Sequence, residues 1–133
     1  MAPETQEIRF DGIHCTLAIE TPSARVVLLK ISGTDVGEFG DAPMKALAGY
    51  LSPGIQLFID AREVRGASVE VSASWASWLN THKSAFRSIT MLTGSRFIQI
   101  TADFVRRFAS LEGMWVCTDS AVFDQALLEA AKP

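Results

Sequence analysis

The apolar residues of this chain follow two rhythms, and the change from one to the other outlines its elements. Across residues 8–20 they recur at every second position. Ile13, Cys15, Leu17 and Ile19 fall on one side, and His14, Thr16, Ala18 and Glu20 on the other. Period two predicts a strand with one buried face. Thr21-Pro22-Ser23-Ala24 reads as a turn. Arg25-Val26-Val27-Leu28-Leu29-Lys30-Ile31 is a second strand, and its nearly unbroken apolar run predicts a more central place in the sheet. The short turn between the two favours an antiparallel hairpin. A third buried strand, Ile55-Gln56-Leu57-Phe58-Ile59, stops at Asp60, and Ala61-Arg62-Glu63-Val64-Arg65-Gly66 follows as a charged turn. The rhythm then becomes helical. Val71, Trp75, Trp78, Leu79, His82 and Phe86 form one stripe over roughly 69–86, with Ser68 as N-cap and Glu70 favourable to the helix dipole. A buried strand feeding an amphipathic helix is half of a βαβ unit.

The other segments fit the same alternation. Residues 1–7 are polar and are expected to be flexible. The glycines between Gly33 and Gly40 resist a regular helix. Asp41 and Pro43 suit the start of a helix running through Met44, Leu47, Ala48 and Leu51, and Ser52-Pro53-Gly54 ends it. Ser88–Leu92 is a fourth strand, and Thr93-Gly94-Ser95 turns into a third helix. That helix has Ile100, Phe104, Val105, Phe108 and Leu111 as its apolar face, Asp103 and Arg107 spaced to pair, and Gly113 as its stop. Met114–Cys117 is a fifth strand. Thr118-Asp119-Ser120 offers caps for a last helix with Phe123, Leu127 and Leu128 inward. The expected order is ββαβαβαβα, an α/β fold with a mixed sheet and helices packed on it.

A chain of 133 residues predicts one domain, here 1–133. At 48% hydrophobic and 20% charged it has the composition of a folded globular protein. The net charge of −3 argues against nucleic-acid binding, which needs a cationic excess. The pairs Arg62/Arg65 and Arg106/Arg107 are too small to supply one. The N-terminus shows no secretory signal pattern, no apolar run approaches a membrane span, and neither end carries a lipidation motif, so a cytoplasmic location is expected. Cys15 and Cys117, the two cysteines, both lie in apolar segments and read as small buried hydrophobes. They lack the His or acid neighbours of a metal site, and no cofactor motif is present.

The order of elements, with Phe58-Ile59-Asp60 entering a helix through a short turn, resembles the STAS domain, the family of the anti-sigma-factor antagonists and of sulfate-transporter cytoplasmic domains. A closer likeness is to small bacterial STAS-like proteins grouped with SEC14-type lipid-binding folds. The likeness runs through Ile59-Asp60, Trp78-Leu79, Thr93-Gly94-Ser95 and Phe123-Asp124-Gln125-Ala126-Leu127, and covers nearly the whole chain. It implies a non-enzymatic module acting through other molecules. In the antagonists a phosphorylatable Ser follows Asp in a turn before the second helix. The matching stretch here is Gly66-Ala67-Ser68-Val69-Glu70, with no Asp-Ser pair and Val69 at the acceptor position. Regulation by that phosphorylation is therefore not expected.

Open α/β sheets bind ligands at the carboxyl ends of their parallel strands. Asp60, Arg62, Arg65 and Ser68 after the third strand, and Thr93, Gly94, Ser95 and Arg96 after the fourth, would gather there. Ser72 stands one turn into the second helix. These residues could receive a small anion or a partner's carboxylate, or could simply cap and close loops. His14 falls on an outer strand face and His82 at the rim of a helix, with no nucleophile or acid set beside either, so no catalytic residue is assigned. The expected activity is binding of a protein partner, with regulation as its use. The alternative is a small lipid-like or anionic ligand held between sheet and helices. Homodimerisation stays open.

Overall fold

A computed structural model describes residues 7–94, Ile100, Asp103, Arg107 and 113–132. Six strands form one sheet: β1 (Glu7–Asp11), β2 (Cys15–Ser23), β3 (Val26–Asp35), β4 (Ile55–Ala67), β5 (Phe86–Thr93) and β6 (Met114–Cys117), in that spatial order. β1, β2 and β3 are antiparallel neighbours, and β3 through β6 run parallel. The helices are α1 (Ala42–Ala48), α2 (Val69–His82), followed by a 3-10 turn at Lys83–Ala85, and α3 (Ser120–Ala131). Ile100, Asp103 and Arg107 are also helical.

Residue parity divides the core between the two faces of the sheet. Leu17, Ile19, Val27, Leu29, Leu57, Ile59 and Ile89 pack beneath Leu47 of α1 and Ala76 and Leu79 of α2. Val26, Leu28, Phe58, Leu92 and Cys117 pack beneath Phe123 of α3. Because alternate residues of β3 and β4 enter both cores, their apolar runs are nearly unbroken, as the central position predicted for the second strand requires. Phe58 and Phe123 meet edge to face, 5.7 Å between ring centroids.

The structure corrects the sequence-based expectations at several points. The strand expected over residues 8–20 is a hairpin, because Gly12 donates its N–H to the Cys15 carbonyl at 2.9 Å and turns the chain. Ile13, expected on the buried face, sits in that turn and is 92% exposed. Alternation survives a tight hairpin, so period two alone did not reveal the break, whereas Asp11-Gly12 is a hairpin signal. The charged turn expected at 61–66 is the second half of β4. It continues because β3 also continues, pairing Gly33 with Val64 and Asp35 with Ala67 across two register shifts. Ala61 and Val64 keep an apolar lining with Ile31 and Met91.

Further corrections concern the helices. The second helix ends at His82 rather than near 86. Trp75 and Trp78 flank the stripe, both partly buried and packed against the core. Their rings lie 5.9 Å apart, and Ala76 and Leu79 make the deep contact instead. Leu128 and Ile100, both expected inward, are 62% and 65% exposed. Phe104, Val105, Phe108 and Leu111 lie outside the described residues.

Candidate functional site

The residues expected to gather after the third strand are distributed over two faces of the sheet and its rim. Parity in β4 sends Asp60 and Arg62 to the α3 side. The Asp60 carboxylate accepts from the Arg62 backbone N–H at 3.2 Å and from its Nε at 3.0 Å. The Arg62 Nη2 donates to Asp124 of α3 at 2.6 Å. The Asp124 hydrogen bond first, and that of Asp60 second, raise the Arg62 pKa above its usual value. The guanidinium thus ties the sheet to α3. Beside this pair an open trough of about 650 Å³ crosses the sheet toward β1, bordered by Arg9, Glu20, Lys30, Asp60, Arg62 and Asp124. Lys30 pairs with Glu20 at 3.2 Å inside it.

On the opposite face Ser72 borders a cavity of about 100 Å³ between α2 and the sheet, walled by Leu29, Ile59, Val64, Trp75 and Met91. Arg65 is exposed on β4. Ser68 caps α2, accepting the Val71 N–H at 3.2 Å. Ser95 and Arg96 lie outside the described residues. His14 is exposed and His82 packs its ring on Trp78, 4.6 Å between centroids.

The rim at the carboxyl ends of β3 and β4 holds a constellation that the sequence reading missed. Glu38 reaches back to the β1–β2 hairpin, where its two carboxylate oxygens accept the N–H groups of Ile13 and His14, each at 3.0 Å. A Cβ at Gly12 would collide with that carboxylate. The Thr34 N–H donates to the His14 carbonyl at 2.8 Å, and the Ser68 N–H to the Asp35 carbonyl at 2.9 Å. These bonds hold the hairpin tip, the segment after β3 and the start of α2 together. The rim presents Ile13, Val36 at 50% exposure and Val69 at 81%. Beside Val36 lies a hollow of about 460 Å³, bordered by Asp35, Asp41 and Glu70 and by Phe39, Met44 and Trp75. The local signals were Asp11-Gly12 and the positive-φ glycines Gly33, Gly37 and Gly40; no local pattern announces which carboxylate closes the hairpin.

Both cysteines are free and buried. Burial, then Asp35 and Glu38, push the Cys15 thiol up to about 11. Burial also raises Cys117. Such thiols stay protonated near neutrality and are weak nucleophiles. Among the described residues no three His, Cys, Asp or Glu side chains converge on a metal position, and no helix is long and apolar enough to cross a membrane.

The strand order, the crossovers and the helix that starts at the rim define a STAS-like fold. A solved structure agrees: an uncharacterized protein of the DUF3478 family from Shewanella loihica PV-4, described as having a SpoIIAA-like fold. It superposes with a TM-score of 0.59 over 89% of this chain and 98% of its own, at 19% sequence identity. This chain therefore has a SpoIIAA-like, mixed α/β fold. No family model and no curated protein matches it.

Proposed function

We propose that this chain is a non-enzymatic STAS-like domain of the cytoplasm that works by binding a protein partner in a regulatory role. The observation that carries this reading is the rim, where Ile13 and Val69, at 92% and 81% exposure, stand beside the opening of α2. Solvated residues of this size, gathered at the carboxyl edge of a sheet on a hydrogen-bonded frame, have the character of an interaction surface. Val69 also supports a switch-free mode of action, because no hydroxyl stands at the position that the antagonist pattern phosphorylates. Homodimerisation is compatible with this surface, and the chain's net charge of −3 speaks against nucleic acid as the partner.

A photo-crosslinking residue in place of Val69, expressed in the native cells, tests the proposal. The expected outcome is a discrete protein adduct from position 69 and none from the same residue at Leu128. Equal, diffuse labelling from both positions would count against it.

A second reading, a small-ligand module, draws on the cavity between α2 and the sheet. Its volume of about 100 Å³ and apolar walls suit an apolar group smaller than benzene, which an engineered cavity of about 150 Å³ takes. An acyl chain would need the helix to move.

A further inference from the structure

The rim offers more than exposed apolar residues. Ile13 is held out by a tip whose backbone is closed on both sides, by the Glu38 carboxylate at 3.0 Å to each of two N–H groups and by the Thr34 N–H at 2.8 Å to the His14 carbonyl. An anchor fixed before binding loses little conformational freedom when it docks. Among the described residues that border the rim and its hollow, the charged side chains are acidic. Glu38 and Glu70 are exposed and flank Val36 and Val69. The adjoining hollow brings Asp35, Asp41 and Glu70 together with the aromatic rings of Phe39 and Trp75, and no Lys, Arg or His is among its described lining residues. Lys45 neutralises Asp41 from outside the hollow at 3.3 Å; Asp35 is buried and accepts the Gly37 N–H at 3.0 Å, which leaves Glu70 as the exposed carboxylate among those three. Arg65, an exposed cation, lies on β4 two residues before its end.

We propose, resting on the partner-binding reading, that the rim docks a protein whose contact face is cationic. An apolar pocket of that partner would receive Ile13, and a lysine or arginine would enter the hollow between Phe39, Trp75 and Glu70. Complementary charge selects such a face and raises its on-rate, and an aromatic floor adds attraction for a cation. Glu38 serves as a positioning residue: it orients Ile13 and adds to the negative field. The same field repels an anionic bilayer and a phosphorylated peptide.

The test uses the isotopically labelled full chain and four probes: a peptide alternating leucine and lysine, its leucine–glutamate counterpart, and vesicles of phosphatidylglycerol and of phosphatidylcholine. The lysine peptide is expected to shift the backbone amides of Ile13, His14, Val36 and Val69, with affinity falling as salt rises. Ile13→Ser is expected to weaken it about tenfold and Glu70→Gln about threefold. Glu38→Ala is expected to weaken it and, in the free protein, to speed amide exchange at Ile13 and His14, which loss of charge alone would not do. Equal binding of the glutamate peptide, or binding of phosphatidylglycerol vesicles without the lysine peptide, would overturn the proposal. So would an unaltered affinity in Ile13→Ser. If position 69 still gave its discrete protein adduct in cells, the partner-binding reading would stand and only the cationic-partner inference would fall.

Discussion

Arg62 of β4 and Asp124 of α3 are 62 positions apart in sequence and meet at 2.6 Å. Asp60 holds the other side of the same guanidinium at 3.0 Å. A strand residue thus aims an arginine at one helix carboxylate, and the sheet and α3 are joined by charge at the margin of the core that Phe58 and Phe123 form.

Asp124 is 54% exposed, so solvent screens the pair and its worth is expected to be about 0.2–1 kcal/mol. A double-mutant cycle with Arg62→Met and Asp124→Asn, followed by urea unfolding, measures it. The coupling should shrink in high salt. A coupling indistinguishable from zero at low salt would mean that the contact contributes nothing.

Phe123 is fully buried while Leu128, five residues on in the same helix, is exposed. Phe123→Ala is expected to cost about 3–5 kcal/mol and Leu128→Ala less than about 0.5 kcal/mol. Similar losses at both positions would show that α3 is rotated from the register described.

Gly33 and Gly40 both have positive φ, but only Gly33 is crowded: a Cβ there would strike the His14 carbonyl, whereas nothing lies within 4 Å at Gly40. Gly40→Ala is expected to lose about 1–2 kcal/mol, from backbone conformation alone. Gly33→Ala should lose clearly more, because the contact between hairpin and β3 must also yield. Thermal unfolding of the two variants side by side checks the order.

The Thr93 hydroxyl is fully buried and has no hydrogen-bond partner among the described residues. Thr93→Val keeps the shape and removes the unpaired group, so stability should rise by roughly 1 kcal/mol. A loss of that size instead would reveal a partner for the hydroxyl in solution.

Cys15 supplies a pH dependence. Its thiol lies near 9 when unfolded and is raised to about 11 by burial in the folded chain. Between those values the folded state holds the proton that the unfolded state releases, so stability falls as pH rises from about 9 to about 11. Below that window the contribution is fully present. Cys15→Ala should flatten this part of the stability curve, read from urea midpoints across the range.

Local pattern alone determined the mixed α/β class, the central place of β3, the cap at Ser68 and the inward Phe123. Period two, period 3.6 and capping chemistry are properties of neighbouring residues, and the core enforces them. Tertiary structure decided the rest. The tip of the hairpin at Gly12 is held by a carboxylate from Glu38, 25 positions from Ile13. The extension of β4 through Arg65 depends on β3 running on beside it to Asp35. These two choices settle the candidate site: one turns Ile13 from a core residue into an exposed tip, and the other sends Asp60 and Arg62 to α3 rather than to a loop beside Ser68. A polar residue has no periodic signature of its own, so its face becomes known only when the distant strand or side chain that pairs with its backbone is in place.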